Sequence, residues 1–179
     1  MSQVASTYAQ ALYDLAKEEN LADEILQQLI ALQQAFAQEP DFLRLMTAAN
    51  LPKEERCQIL DDSFRGKAEP YVLNFMKILT EKGYMRHFSD CAEAYRDAYN
   101  RDHGILPVKA VTAVPMTEDQ IRRLTEKLNG ITGKTIDLTC TIDPAVLGGV
   151  RLDYDGKRVD GTVQNRLDAV SKLLKNTVL

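Results

Sequence analysis

The stretch from Asn129 to Thr135, "NGITGKT", ends as a phosphate-binding loop does. Such a loop has the pattern G-x-x-x-x-G-K-[ST], because its lysine and backbone N–H groups need that length to surround a phosphate. Here Leu128 stands where the first glycine belongs, and Gly130 comes two residues too late. A helical pattern also precedes the stretch and a strand pattern follows it, which is the reverse of the required order. The stretch therefore indicates the end of a helix, with Gly130 or Gly133 as its left-handed cap.

The other residues that could do chemistry do not converge on one site. His87 and Cys91 are four residues apart and can share a helix face, but a zinc site needs three or four ligands. The acidic pair Asp61-Asp62 fits the solvated face of a helix. The chain has neither G-x-S-x-G nor H-E-x-x-H. The sequence therefore predicts no catalytic residue, no metal site and no cofactor.

Composition excludes several classes of protein. The 179 residues are enough for one large domain or two small ones. The three cysteines lie far apart, as in an intracellular protein with reduced thiols. No window approaches the ~18 apolar residues of a membrane span, and "MSQVASTYAQ" is no targeting segment. Net charge is about −6 up to Gly104 and about +2 beyond it, and neither part has the basic stripe of a nucleic-acid-binding protein.

Helical periodicity dominates the chain up to about residue 104. We expect helices over 4–19 and 21–38, a short helix after Pro40, one with Pro52 in its first turn and Asn50 as a possible cap, one from Pro70 to a stop at Gly83, and one over 89–101. Six helices with short connections predict an N-terminal six-helix bundle.

Strand signals begin after Gly104. "ILPVKAVTAVP" predicts a strand, and Thr117 with Gln120 forms a capping box for a helix that ends near Asn129. "TIDLTCTID" alternates strictly, which predicts a half-buried strand. The residues expected on its covered face are Ile136, Leu138, Cys140 and Ile142.

The last part of the chain combines a hairpin signal with a helical stripe. Asp155-Gly156 between two short runs predicts a hairpin, and Gly148-Gly149 indicates a bulge or a close backbone contact. A final helix is expected to align Val163, Leu167, Val170 and Leu174. The predicted fold is mainly α, with a helical bundle over 1–104 followed by a smaller α/β domain over 105–179.

Two helices of the predicted bundle have unusually wide apolar faces. The apolar arc covers about 200° of the first helix and about 220° of the helix after Pro70, whereas contact with one core needs only ~100°. Either both helices are central in the bundle, or their second sides form a groove for a partner helix. The residues expected to bind that partner are Ala5, Ala9, Leu12, Tyr13 and Ala16 in the first helix and Val72, Leu73, Met76 and Leu79 in the fifth.

Four segments, in order, resemble one family. "TYAQALYDLAKE" (7–18) is similar to an opening Y-A-x-A-L-x-x-L-A, and "VLNFMKILTEKGYM" (72–85) to N-F-x-x-x-L-x-x-x-G-R. "VKAVTAVPMTEDQ" (108–120) is similar to V-T-[TS]-A-x-P-L-[TS], and "IDPAVLGGVRLDYDGKRVDGTVQNRL" (142–167) to a long signature that begins D-x-x-L-x-G-G. These motifs resemble the delta subunit of F-type ATP synthases, whose mitochondrial relative is the oligomycin-sensitivity-conferring protein. One departure is Tyr84, which follows Gly83 where the family usually has arginine.

The resemblance implies a non-catalytic stator subunit of the rotary proton-translocating ATP synthase. In that family the first and fifth helices of the bundle bind the amphipathic N-terminal helices of alpha subunits, and the C-terminal part binds the b subunits of the peripheral stalk. It also implies one copy per complex, no nucleic acid, no direct membrane insertion, and a peripheral position at the cytoplasmic face of the bacterial cell membrane. The alternative is a helical-bundle adaptor or RNA-binding module unrelated to the synthase.

Overall fold

The computed structural model describes residues 3–48 and 50–163. Within these ranges the chain is mainly helical, with a small four-stranded sheet in its C-terminal part. It divides into two compact units, of which the first is Met1–Tyr99 and the second begins at Asn100. The division therefore lies a few residues before the predicted boundary at residue 104. None of the described helices is both long and apolar enough to cross a membrane.

Six α-helices precede the first strand in the described residues. They are α1 (Gln3–Glu18), α2 (Ala22–Gln38), α3 (Pro40–Thr47), α4 (Lys53–Phe64), α5 (Pro70–Lys82) and α6 (Phe88–Asp102), with a 3₁₀ turn at Met85–His87. The order and approximate bounds are those predicted, because proline and glycine mark the breaks. Gly83 ends α5 in the left-handed conformation, with φ 75°. The predicted start of α4 was wrong, since Pro52 is the capping residue itself and Asn50 makes no capping hydrogen bond.

The core of the first unit contains a cluster of aromatic rings. Phe36 lies at its centre, stacked on Phe42 with ring centroids 5.1 Å apart and edge-on to Phe88 at 5.0 Å. Tyr95 is fully buried, and its hydroxyl donates a hydrogen bond to the carbonyl oxygen of Ala22 over 3.1 Å. Because buried hydroxyls need such partners, this bond fixes α6 against the start of α2.

The second unit contains a four-stranded sheet and one described α-helix. The elements are β1 (Ile105–Thr112), α7 (Glu118–Thr132), β2 (Thr135–Ile142), a 3₁₀ turn at Pro144–Val146, β3 (Val150–Tyr154) and β4 (Lys157–Asp160). The strand order is β2-β1-β3-β4, with β1 parallel to β2 and both other pairs antiparallel. Helix α7 joins the two parallel strands, which need a crossover of this length.

Local signals fixed the ends of α7 and the hairpin. Thr117 and Gln120 exchange both hydrogen bonds of the predicted capping box. Gly133 caps α7 with φ 66°, whereas Gly130 lies within the helix. The predicted helix end within "NGITGKT" is therefore confirmed, because α7 ends at Thr132 and β2 begins at Thr135. The hairpin at Asp155-Gly156 is also confirmed, with φ of 47° and 68°.

The alternation predicted for β2 is confirmed only at its start. Ile136 is buried and Leu138 is half-buried, but Cys140 is exposed and Ile142 keeps 53% of its surface exposed. Alternation assigns residues to a face of the strand, whereas burial requires a neighbour that reaches that far along it. The predicted final helix lies outside the described residues, which end at Val163.

Candidate docking site

All nine residues predicted to bind a partner helix are buried by their own chain. Ala5, Ala9, Leu12, Tyr13 and Ala16 of α1, and Val72, Leu73, Met76 and Leu79 of α5, are between 0% and 8% exposed. They belong to the hydrophobic core of the first unit. The expectation that these side chains line an open groove is therefore corrected, because the packing of the first unit covers them. Partner binding through α1 and α5 stays a prediction, and the surface available for it consists of other residues.

The apolar surface that remains on α1 forms one stripe. Val4, Tyr8, Ala11 and Leu15 follow a spacing of four, three and four residues, so they lie along one side of the helix. Val4 and Tyr8 are half-buried, Ala11 is exposed, and Leu15 is 37% exposed. We call these four residues the α1 stripe. It borders the buried face directly, which explains why the whole apolar arc of the helix is so wide.

Helix α5 has a smaller uncovered apolar surface. Tyr71 and Ile78 are two turns apart and share a side of the helix. Ile78 is 43% exposed, and Tyr71 is half-buried against the core. Asn74 lies between them and is exposed. The uncovered side of α5 therefore has apolar residues at both ends and an amide group between them.

The two helices pack against each other, and aromatic rings join them. The rings of Tyr8 in α1 and Tyr84, just after α5, have centroids 6.1 Å apart and are tilted by 57°. Tyr84 is held in place because its N–H donates to the carbonyl oxygen of Leu79 over 2.7 Å, in the turn that Gly83 makes possible. The α1 stripe thus contacts Tyr84, just after the C-terminal end of α5. A partner helix that lies on the stripe can contact both elements.

Electrostatics hold α5 in place from the side of α4. The Nζ atom of Lys77 lies 2.7 Å from Oδ2 of Asp61, and an Arg65 nitrogen lies 3.5 Å from Oδ1. The hydrogen bond from Lys77 is the main reason why the pKa of Asp61 is below its ordinary value. The interpretation of Asp61 as a solvated acid was wrong, since the residue is buried. The sequence of α4 alone does not show that a lysine of α5 will form an ion pair with the Asp61 carboxylate.

The candidate metal pair behaves as two separate structural residues. The Nδ1 atom of His87 lies 3.3 Å from Asp90 Oδ2. Cys91 is buried in the core, and burial raises its pKa to about 11, which keeps the thiol protonated. Among the described residues, no three His, Cys, Asp or Glu side chains converge as metal ligands.

The signature region of the second unit has a structural explanation. A Cβ atom on Gly149 would lie 2.6 Å from the carbonyl oxygen of Gly161, a distance that real Cβ atoms do not adopt. The close backbone contact predicted at Gly148-Gly149 is therefore confirmed. Asp160 stabilises the same corner, because its Oδ1 accepts hydrogen bonds from the Thr162 N–H and hydroxyl over 3.0 and 2.6 Å. These bonds, the hydroxyl's first, lower the pKa of Asp160.

An exposed apolar stripe on a helical unit is typical of a surface that binds a partner helix. Comparison with known proteins specifies the class further. Residues 4–174 match the family described as "ATP synthase delta (OSCP) subunit". The chain belongs to this family, and its members are non-catalytic subunits of the peripheral stalk. The alternative of an unrelated adaptor or RNA-binding module is therefore set aside.

Individual relatives align over nearly the whole chain. The ATP synthase subunit delta of Alkaliphilus oremlandii (strain OhILAs) is 30% identical over 176 residues, which cover 98% of both chains. That of Clostridioides difficile (strain 630) is 27% identical over 176 residues, which cover 98% of this chain and 97% of the relative. A chain of the Toxoplasma gondii mitochondrial ATP synthase hexamer has a similar fold, with a TM-score of 0.76 at 19% identity over 97% of this chain and 98% of that one.

Proposed function

We propose that this chain joins the catalytic head of a proton-translocating ATP synthase to the peripheral stalk and holds the head against the torque of the rotor. In this proposal α1–α6 form the six-helix bundle that binds the head, and the unit with the sheet binds the stalk. The chain acts as a single copy per complex. It is a peripheral protein at the cytoplasmic face of the bacterial cell membrane, and it does not insert into the membrane directly.

The observation that carries the head-binding role is the α1 stripe. A bundle that buries Ala5, Ala9 and Ala16 of α1 completely still leaves Leu15 of the same helix 37% exposed. Ile78 of α5 is 43% exposed, and α5 packs against α1. We propose that an amphipathic N-terminal helix of an alpha subunit covers these side chains and is held by the apolar area that it buries, at roughly 25 cal/mol per Å².

The nine core residues have an indirect role in this proposal. They hold α1 and α5 side by side, so that the α1 stripe and Ile78 form one surface instead of two mobile ones. Part of the gain from burial is offset by the freedom that the partner helix loses. A surface held rigid before binding reduces that cost, because the subunit itself has little left to order.

The second attachment is to the b subunits, through the unit that begins at Asn100. With both contacts on one chain, the second binding event takes place at a high effective concentration. Two contacts of moderate affinity therefore add up to a connection that survives repeated mechanical load. This arrangement needs no chemistry from the subunit itself, only two surfaces and the chain between them.

A bridging experiment tests the proposal. Purified head, stripped of this subunit, and the soluble part of the b subunits are mixed with and without the full chain, and then separated by size-exclusion chromatography. We expect the b subunits to co-elute with the head only when the chain is present. Co-elution without the chain, or binding of the chain to one partner only, would contradict the bridging role.

A further inference from the structure

The strand β2 forms one edge of the sheet, and its outer side has no partner within residues 3–48 and 50–163. It is first in the order β2-β1-β3-β4, so its inner side faces β1 along the whole strand. Eight residues is long for an exposed edge. Unpaired edges of this kind are ready to accept another strand, and natural proteins usually protect them.

The hydrogen bonds at both ends of β2 establish which backbone groups point outward. The N–H of Thr135 donates to Gly104 over 3.0 Å, and the N–H of Asp143 donates to Thr112 over 2.8 Å. Both donors belong to odd-numbered residues, and both N–H groups point toward β1. Because successive residues of a strand point their backbone groups to opposite sides, the even-numbered residues point outward. The N–H of Ile136 confirms this, since it donates to the Asn129 side chain over 3.0 Å on the outer side.

Three outward positions remain after Ile136. The backbone N–H and C=O groups of Leu138, Cys140 and Ile142 have no hydrogen-bond partner among the described residues. Each is two positions from the next, about 7 Å along the strand, which is the repeat that an added strand presents. The Asn129 side chain occupies the outer side of the strand at Ile136. The segment without an outer partner is therefore Leu138–Ile142.

This edge lacks the protection that the opposite edge has. The other outer strand, β4, has only four residues, of which Lys157, Arg158 and Asp160 are charged. Short length and charge both discourage strand addition. By contrast, β2 contains neither proline nor lysine, and Asp137 is its single charged residue. Among the described residues, both edge strands lack an outer partner, but β4 has the short length and the charges that discourage strand addition and β2 has neither.

We propose that an extended segment of the stalk partner adds to β2 as a fifth strand along Leu138–Ile142. This inference rests on the proposed function for the source of the segment. The exposed side chains of Cys140 and Ile142 would pack best against apolar residues on one face of the added strand. Asp137, Thr139 and Thr141 call for polar residues on the other face. Asp137 is exposed and makes no ion pair with a described residue, so a lysine or arginine opposite it completes the fit.

Amide hydrogen exchange tests this at single residues, by NMR on the full chain alone and with the soluble part of the b subunits. In the free chain we expect the amides of Leu138, Cys140 and Ile142 to exchange rapidly, whereas those of Thr139 and Thr141, bonded to β1, exchange slowly. In the complex the three outward amides slow by about tenfold or more, since each gains a hydrogen bond worth roughly that factor.

A matched pair of variants tests the same point by affinity. Cys140→Pro removes an outward donor and no bond to β1, so the strand itself remains paired. Cys140→Val keeps the donor and introduces a β-branched residue that is well suited to a strand. We expect Cys140→Pro to bind the b subunits on the order of tenfold more weakly than wild type, and Cys140→Val to bind as wild type does. Should Cys140→Pro fail to fold, as judged by circular dichroism, amide exchange on the wild-type chain decides.

Three results would overturn the inference, and they are distinguishable. Slow exchange of the outward amides in the free chain would mean that the chain itself or a second copy already covers the edge. Binding of the b subunits with no change in exchange at these amides would rule out strand addition but not the stalk contact. Absence of any binding to the b subunits would rule out both the proposed stalk contact and the strand addition.

Discussion

The Nζ atom of Lys77 lies 2.7 Å from Oδ2 of Asp61 and ties α5, one of the two candidate docking helices, to α4. The side chains are 28% and 12% exposed, so water screens this pair less than it screens an ion pair on the surface. Arg65 approaches the other carboxylate oxygen at 3.5 Å. The position of the exposed side of α5 thus depends in part on one carboxylate of a neighbouring helix.

The stability of the first unit should therefore fall in acid through Asp61. Its native pKa is lowered, first by the hydrogen bond from Lys77, so its contribution is complete above the unfolded-state pKa of about 3.9. The contribution is lost as the pH falls from there through the lower native pKa. We expect Asp61→Asn to lower the midpoint of urea unfolding at pH 7 and to flatten its decline below about pH 4. A decline as steep as that of wild type would contradict this role.

Neighbouring residues of α5 should differ sharply in their effect on stability. Met76 is fully buried, and its replacement by alanine leaves a cavity, so Met76→Ala should cost about 2–5 kcal/mol in urea unfolding. Ile78→Ala, two residues away and 43% exposed, should stay within about 0.5 kcal/mol of wild type. Equal costs for both variants would mean that the assignment of core and surface on α5 is wrong.

Replacing Gly149 of the C-terminal signature should lower stability for a steric reason. Gly133 and Gly149 both have positive φ, at 66° and 82°, but an added Cβ meets nothing at Gly133 and a backbone oxygen at Gly149. Gly133→Ala should therefore cost about 1–2 kcal/mol, the penalty for left-handed backbone alone. Gly149→Ala should cost a further 1–3 kcal/mol or so because the corner must shift. Thermal unfolding of both variants measures the difference, and equal losses would refute the close contact.

Much of the fold could be predicted because its signals are local. Pro70 and Gly83 bound α5, the capping box of Thr117 and Gln120 starts α7, and Asp155-Gly156 makes the hairpin. Each of these depends on the conformation that a residue and its neighbours prefer, which is present in the sequence. Element order followed directly from them.

The candidate site could be predicted only as a pair of helices. The width of an apolar arc shows that a helix has more apolar surface than one contact needs, but it does not show which side faces the core. The nine chosen residues, Met76 among them, lie on the inner side, and the outer side belongs to Leu15 and Ile78. That choice depends on how other helices pack, which is tertiary information. The open edge of β2 was missed for the same reason, since strand order is not local.

We expect the α1 stripe and the uncovered side of α5 to bind the head. Leu15→Asp and Ile78→Asp each place a charge on that surface without disturbing a buried side chain. Leu45→Asp in α3 is the matched control, because Leu45 is a similarly exposed aliphatic residue of the same unit, at 41%. All three variants should unfold at temperatures close to that of wild type, since substitutions at exposed sites change stability little.

Isothermal titration calorimetry of the full chain with the N-terminal segment of the alpha subunit measures the affinity of this surface for its proposed partner. We expect Leu15→Asp and Ile78→Asp to weaken binding by about tenfold or more, because each removes apolar contact and leaves a charge to be desolvated. Leu45→Asp should bind as wild type does. Unchanged affinity of both docking variants, or an equal loss in Leu45→Asp, would show that this surface is not where the alpha subunit binds.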